Sequence, residues 1–364
     1  LRDKNKGNFK DKDLTAHGFD PDSDPDPDLD KRKNELKIDD LLQKSADNGA
    51  FSRQELVHML RYAPNAPETY RILAEANRIS RELTGNRAEV QGQLALNLAP
   101  CACNCKFCSF SAESKIFSKA TEISALEAVA QARLFEENGA NAIYVMTTAF
   151  YPLEKFLDIS KEVRRNLKKE TVMIANVGDK TLEQARQIKD AGYKGVYHAL
   201  RMREGVDTDL DPEQRRISIR NFQEAGLSVG TCVEPVGPEH TNEEIADRIL
   251  FTASIHPAFS GAARRITIPG GPMESLGMIS ELRMAQIVAV TRLAMPRTTL
   301  GNCTHEPCTL GALAGANLFW AEVGANPRDI EEKTEQGRGD TVDHCRKIYE
   351  EAGWEVHTGP SRYF

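Results

Sequence analysis

From about Val90 onward the sequence alternates short apolar runs, rich in β-branched and aromatic residues, with longer amphipathic segments, and no other feature narrows the fold as much. LALNL (94–98) leads into a Cys-rich loop and a helical stretch near Ser124–Asn138. AIYVMT (142–147), TVMIANV (171–177), GVYHAL (195–200) and LSVGTCV (227–233) follow, each trailed by an amphipathic segment. ARRITI (263–268), RTTLGN (297–302) and NLFWAEV (317–323) complete eight repeats. Eight strand–helix repeats over roughly 240 residues predict an α/β fold, a TIM-type (β/α)8 barrel of parallel strands. Chemistry in such barrels sits at the C-terminal ends of the strands, so the residues after each run are the ones to inspect.

Before the barrel, residues 35–89 read as an N-terminal helical extension, with Ser52 and Glu55 spaced as a capping box. Residues 1–34 are polar, and Asp20 to Asp30 alternates Asp with Pro, Ser and Leu. Such a stretch buries too little apolar surface to offset its ordering entropy, and it lacks the Gly and the terminal Glu of a calcium loop. The expected division is therefore an acidic arm (1–34), the helical segment (35–89), the barrel (90–330) and a C-terminal helical segment (331–364) packing on it.

Four of the eight cysteines lie within eight residues, Cys101, Cys103, Cys105 and Cys108, in NLAPCACNCKFCSFS directly after the first predicted strand. Local clusters of this kind in a large chain point to metal rather than to a disulfide framework. Cys101-x3-Cys105-x2-Cys108 offers three thiolates for three irons of a cubane, and the loop lacks the usual fourth Cys of an electron-transfer cluster. Tetrahedral zinc with Cys103 as fourth ligand is the competing reading, at a spacing cramped for it.

With Phe107 before its last Cys and its place after barrel strand one, the motif resembles that of the radical S-adenosylmethionine (SAM) superfamily. Within it the chain is similar to the biotin-synthase-like branch, which also holds hydrogenase-maturation and methylornithine-forming enzymes. The similarity runs from about residue 65 to the end and includes PGGPMES (269–275) and AGANLFW (314–320). It implies a [4Fe–4S] cluster on Cys101, Cys105 and Cys108 whose open iron binds SAM. Reductive cleavage then gives a 5′-deoxyadenosyl radical that takes hydrogen from the substrate. It also implies a small-molecule or carrier-bound acyl substrate and an electron donor such as flavodoxin or ferredoxin, and it is compatible with a homodimer.

The same resemblance assigns further residues. Met146 and Thr147 fall where the superfamily binds the SAM amine, and Phe107 is expected near the adenine. After strand four, YHALRMREG offers His198, Arg201 and Glu204, with Glu204 expected on the ribose; in Arg215-Arg216, Arg216 is assigned to the SAM carboxylate. NCTHEPC follows strand seven, so Cys303 and Cys308, with Cys232 and with His305 as an alternative ligand, are candidates for a second iron–sulfur cluster. Read alone, a Cys on a strand such as Cys232 is more often core than ligand. Biotin synthases also place cluster cysteines on strands two and three, where this chain has Val145 and Ala175–Asn176. The expectation is sulfur insertion in the manner of a biotin or lipoyl synthase, the two-protein lipoyl synthases fitting better than an ordinary biotin synthase. The alternative is cofactor maturation or carbon-skeleton rearrangement without sulfur transfer. An iron–sulfur scaffold or electron carrier and a structural zinc protein are the other classes.

The formal net charge of −7 argues against a nucleic-acid or anionic-membrane partner. No stretch approaches the roughly 20 apolar residues of a membrane span, and the N-terminus has no apolar run after its basic residues, so a cytoplasmic protein is expected.

Overall fold

The computed structural model describes residues 36–98, 100–117, 119–324, 327–330 and 339–364. The acidic arm expected over 1–34 lies outside them, as does the first part of the 331–364 segment.

Three helices open the described chain: α1 (Ile38–Ala46), α2 (Arg53–Arg61) and α3 (Pro67–Thr84). The capping box on α2 forms as its spacing predicts, Ser52 Oγ accepting from Glu55 N while the Glu55 carboxylate accepts from Ser52 N. Helix α3 starts on Pro67, where a missing N–H costs nothing, and stops at Gly85 in the left-handed conformation.

Eight parallel strands follow: β1 (Arg87–Ala95), β2 (Ala142–Met146), β3 (Val172–Asn176), β4 (Gly195–Tyr197), β5 (Ser228–Gly230), β6 (Phe259–Arg264), β7 (Gly301–Cys303) and β8 (Leu318–Val323). Each pairs with the next in chain order, and β8 returns to pair with β1, so the sheet closes into the predicted (β/α)8 barrel. The helices after successive strands are α4 (Ala125–Glu137), α5 (Leu153–Asn166), α6 (Leu182–Asp190), α7 (Pro212–Glu224), α8 (Asn242–Ser254), α9 (Glu281–Ala294), α10 (Thr309–Leu313) and α11 (Val342–Glu351). Capping boxes at Ser124, Thr181 and Thr241 start α4, α6 and α8.

Four strand positions differ from the sequence pattern. β1 begins at Arg87, and Asn97–Leu98 instead pairs antiparallel with Thr121–Glu122 beneath the Cys-rich loop. β5 is short, with Val233–Val236 pairing separately against β6. β6 is FSGAAR rather than ARRITI, because small residues let it approach its neighbours: a Cβ on Gly261 would lie 2.1 Å from Cys303 O. β7 comprises only Gly301–Cys303, its register set by Gly301 against Phe259.

One apolar layer packs helices on strands; a second fills the barrel with Tyr144, Ile174, Tyr197, Cys232, Phe259, Cys303, Leu318 and Trp320. The C-terminus closes the end where the strands begin: Ser361 Oγ and Arg362 N donate to the buried Glu89 carboxylate, at 2.6 and 2.7 Å, and Phe364 meets Phe259 edge-on. The polar opening is thus left at the strands' C-terminal ends.

Candidate active site

At that end lies a cavity of about 1300 Å³, its open mouth included, lined by residues of six strands, among them Gln93 on β1, Asn176 on β3 and Glu322 on β8, and by Glu234 and His305 from the segments after β5 and β7. These side chains form a linked floor. Asn176 Nδ2 donates to Gln93 Oε1 at 3.0 Å, Gln93 Nε2 donates to Glu322 at 3.1 Å, and Arg328 pairs with Glu322 at 2.7 Å.

The Cys-rich loop forms one wall, with Cys101, Cys103, Cys105, Phe107 and Cys108 all lining the cavity. Its shape comes from backbone bonds: Cys101 N donates to Phe110 O, Cys108 N to Cys105 O and Ser111 N to Cys108 O. It is tied to the segment after β4 by Lys106 N on Asp207 O, Asp209 N on Cys103 O and Asn104 Nδ2 on Asp209. Burial pushes the Cys105 and Cys108 thiols up to about 12 and about 11. Cys101, hydrogen-bonded to Cys103, is brought down to about 6, and Cys103 is raised in turn.

Opposite, Met146 ends β2 and Thr147 follows it, and both line the cavity. The Met146 carbonyl already accepts from Leu96 N, and the Thr148 hydroxyl from Asn97. Gly178 is required here by contact: a Cβ on it would lie 2.2 Å from Ala149 O.

Three expectations need correction. Arg216 does not face the cavity. One residue along a helix turns the side chain by about 100°, so Arg216 lies outside, its guanidinium 4.5 Å from the Phe251 ring, while Arg215 points in. Glu204 does not line the cavity either. Its carboxylate folds back onto its own loop, accepting from Arg201 N at 2.8 Å, because the turn's backbone needs an acceptor there. Cys308 does not join Cys232 and Cys303. It is the N-cap of α10, its Sγ accepting from Gly311 N at 3.3 Å.

Arg215 is held by groups that sequence reasoning mentioned only in part. Its Nη1 reaches His198 Nε2 at 2.9 Å and Asp179 Oδ1 at 3.3 Å, and His198 Nε2 contacts Asp179 at 2.9 Å. Burial and then the Arg215 charge depress the His198 imidazole to about 3, so it stays neutral. Arg215 Nε is buried without a hydrogen-bond partner, 3.9 Å from Glu204. Arg201 also lines the cavity, and its charge is favoured by Glu204 and Glu234 against the cost of burial.

Deeper, beside the floor, Cys232 and Cys303 bring their sulfurs to 3.2 Å, with His305 alongside. The spacing in NCTHEPC offered both His305 and Cys308; the geometry brings in His305.

Residues 100–252 match the model of the radical SAM superfamily. The chain is 26% identical over 255 residues to the biotin synthase of Ehrlichia canis (strain Jake), covering 66% of this chain and 78% of that one. It is 26% identical over 294 residues to biotin synthase 1 of Corynebacterium diphtheriae, covering 77% and 82%. Among solved structures, the FeFe-hydrogenase maturase HydG from Carboxydothermus hydrogenoformans superposes with TM-score 0.73 at 18% identity over 91% of this chain and 80% of that one. Methylornithine synthase (PylB) does so with TM-score 0.73 at 15% identity over 89% and 98%, and both share this fold. No helix among the described residues is long and apolar enough to cross a membrane. Over residues 100–252 the chain is similar to the radical SAM superfamily, and its resemblance to the biotin-synthase-like branch of that superfamily stands.

Proposed function

We propose that the chain cleaves SAM reductively and takes a hydrogen atom from a substrate held in the barrel-mouth cavity. The observation that carries this is the convergence of Cys101, Cys105 and Cys108 with the buried guanidinium of Arg215 on one cavity. The radical SAM family implies a [4Fe–4S] cluster and SAM. The residues fit them. Among the described residues, these three sulfurs do not form a group within 4.8 Å of one another. One tetrahedral ion with metal–sulfur bonds of about 2.3 Å needs sulfurs about 3.8 Å apart, whereas three corners of a cubane spread them wider. Arg215 brings a buried guanidinium to the cavity, its Nε without a hydrogen-bond partner. When bound, the cluster and SAM supply a 5′-deoxyadenosyl radical able to abstract hydrogen from an unactivated C–H bond.

In this reading Cys101, Cys105 and Cys108 hold three irons, releasing their thiol protons as they do. Arg215, held by Asp179 and His198, binds the SAM carboxylate. Phe107 packs beside the adenine, and Thr147 lies by the SAM amine. Trp320 and Tyr197 keep water from the reacting carbon at the cavity floor. Electrons come from a donor protein of the flavodoxin or ferredoxin kind.

Sulfur insertion is the second reading, favoured by the biotin synthase relatives, and it needs a sulfur-bearing cluster near Cys232 and Cys303. Anaerobic reconstitution with iron and sulfide, followed by dithionite and SAM, tests the main proposal. 5′-Deoxyadenosine is expected in the chromatogram. A reconstituted protein that neither binds nor cleaves SAM is an electron carrier or scaffold instead.

A further inference from the structure

Cys232, Cys303 and His305 come from three places that only the closed barrel brings together: two residues past β5, the last residue of β7, and two residues beyond it. Their ligand atoms all lie within 4.8 Å of one another, and among the described residues they are the group of three or more that does so. Both cysteines are fully buried, while His305 lines the cavity. We propose that these three residues bind a single divalent ion, zinc(II) or iron(II), whose fourth tetrahedral position opens to the cavity and takes a water or a donor atom of the substrate.

The donor chemistry suits such an ion. Two thiolates and an imidazole are the set preferred by borderline metals, and three protein ligands with one open position is the arrangement of a reactive rather than a structural site. The sulfurs, 3.2 Å apart, need to separate by only about half an ångström to reach tetrahedral spacing.

The imidazole is set up for the role. His305 Nδ1 lies 3.3 Å from Glu234 Oε2, and the Tyr197 hydroxyl donates to the other Glu234 oxygen. A carboxylate on one ring nitrogen fixes the tautomer and leaves the lone pair of the other for a metal. A disulfide between Cys232 and Cys303 would have no use for that carboxylate-backed ring.

A multi-iron cluster fits less well. It needs ligands on the far side of its second iron, yet Cys308 caps α10 and Cys345 donates to Trp320 O. The space is also taken: the His305 ring is 5.0 Å from Trp320 and 5.7 Å from Tyr197, which stacks on Phe259 at 6.0 Å. This reading supplies no sulfur, so it sides with a reaction that transfers none. It holds whether or not the loop thiols carry a cluster.

The test is metal and acid-labile sulfide analysis of the full-length reconstituted protein, with cobalt(II) titration as an optical probe. Expected are one metal equivalent beyond the roughly four irons of a cubane and a thiolate-to-cobalt charge-transfer band. A Cys232→Ser/Cys303→Ser variant should lose that equivalent and the band while keeping about four irons and SAM binding. Cys308→Ser, which retains a cap for α10, should lose nothing. Should the double variant misfold, His305→Gln, at a partly open position, is expected to weaken cobalt binding at least tenfold. The proposal is overturned by sulfide beyond about four per chain that disappears with Cys232 and Cys303. It is equally overturned by a Cys232–Cys303 disulfide in peptide maps of metal-free protein, or by no metal beyond the cubane.

Discussion

The molecule presents thiols in two ways at the same end of one barrel. Cys101, Cys105 and Cys108 ride on a loop, half-buried, their sulfurs spread around a cavity wall and fastened by backbone bonds to the segment after β4. Cys232 and Cys303 are fully buried at strand ends, their positions dictated by the pairing of β6 with β7 and by aromatic packing. Here the loop spreads three ligands too widely for one ion, whereas the strand ends and the residue beyond β7 deliver a compact set. The two also differ in what supports them, for the loop faces an ionic network of Asp179, His198 and Arg215, while the inner pair rests on close backbone contact.

The sharpest way to break the comparison is to remove the loop thiols. Cys101→Ala, Cys105→Ala or Cys108→Ala should each abolish 5′-deoxyadenosine formation and most of the cluster absorbance, with Cys103→Ala leaving both largely intact. The helix and strand content should survive, because the core lies outside this loop. If Cys103→Ala alone destroys the absorbance, the three-ligand assignment fails.

Next in size is Arg215→Ala. Losing one buried charge-assisted contact costs roughly 1.5–3 kcal/mol, about ten- to a hundredfold in SAM affinity. Arg216→Ala removes only a guanidinium lying over Phe251 at the surface and should change affinity less than about twofold. Equilibrium binding decides; equal losses for the two would refute the assignment to Arg215.

These two arginines also mark how far the sequence could be read. The barrel was legible because strand–helix alternation and capping residues are local signals, and the Cys loop because its spacing is local too. Which of two adjacent arginines faces inward depends on the phase of α7, which the polar run PEQRR leaves open. Cys303 belonged to a predicted group, but choosing His305 over Cys308 as its partner required the three-dimensional course of the β7–α10 loop. The edges of β6 failed for a related reason: ITI carries the β-branched residues, while FSGAAR forms the strand because Gly261 permits close approach to Cys303.

That contact gives the third prediction. A Cβ at Gly261 would lie 2.1 Å from Cys303 O and 2.4 Å from Cys303 N, both backbone atoms that cannot rotate away. Gly261→Ala should therefore cost about 2 kcal/mol or more in denaturant unfolding. It should weaken cobalt binding at the inner group while leaving SAM binding nearly unchanged. Equal damage to both would mean that the loop and the strand ends are not independently supported.

The smallest effect expected is a pH dependence confined to the outer network. His198 is almost fully buried against Phe222. Burial, then the Arg215 charge and more weakly that of Arg201, depress its imidazole to about 3, against the opposing pull of Asp179. In the unfolded chain an imidazole titrates near its ordinary value of about 6.5. Between those two values the unfolded state binds a proton that the folded state refuses, so stability falls as pH drops below about 6.5, and this loss levels off near 3. One proton sets the limiting slope at about 1.4 kcal/mol per pH unit. Asp179, held below the usual carboxylate range because His198 and Arg215 outweigh its burial, adds a loss of the same sign only below about pH 5, where an unfolded carboxylate begins to take up a proton. Urea midpoints measured from pH 7.5 to pH 5 should therefore fall more steeply for the wild type than for His198→Gln, which keeps a hydrogen-bonding side chain but no titration. The difference should vanish above about pH 7 apart from a constant offset. Parallel curves across the whole range would show that His198 is protonated in the folded protein, and that Arg215 is held without the neutral imidazole assigned to it here.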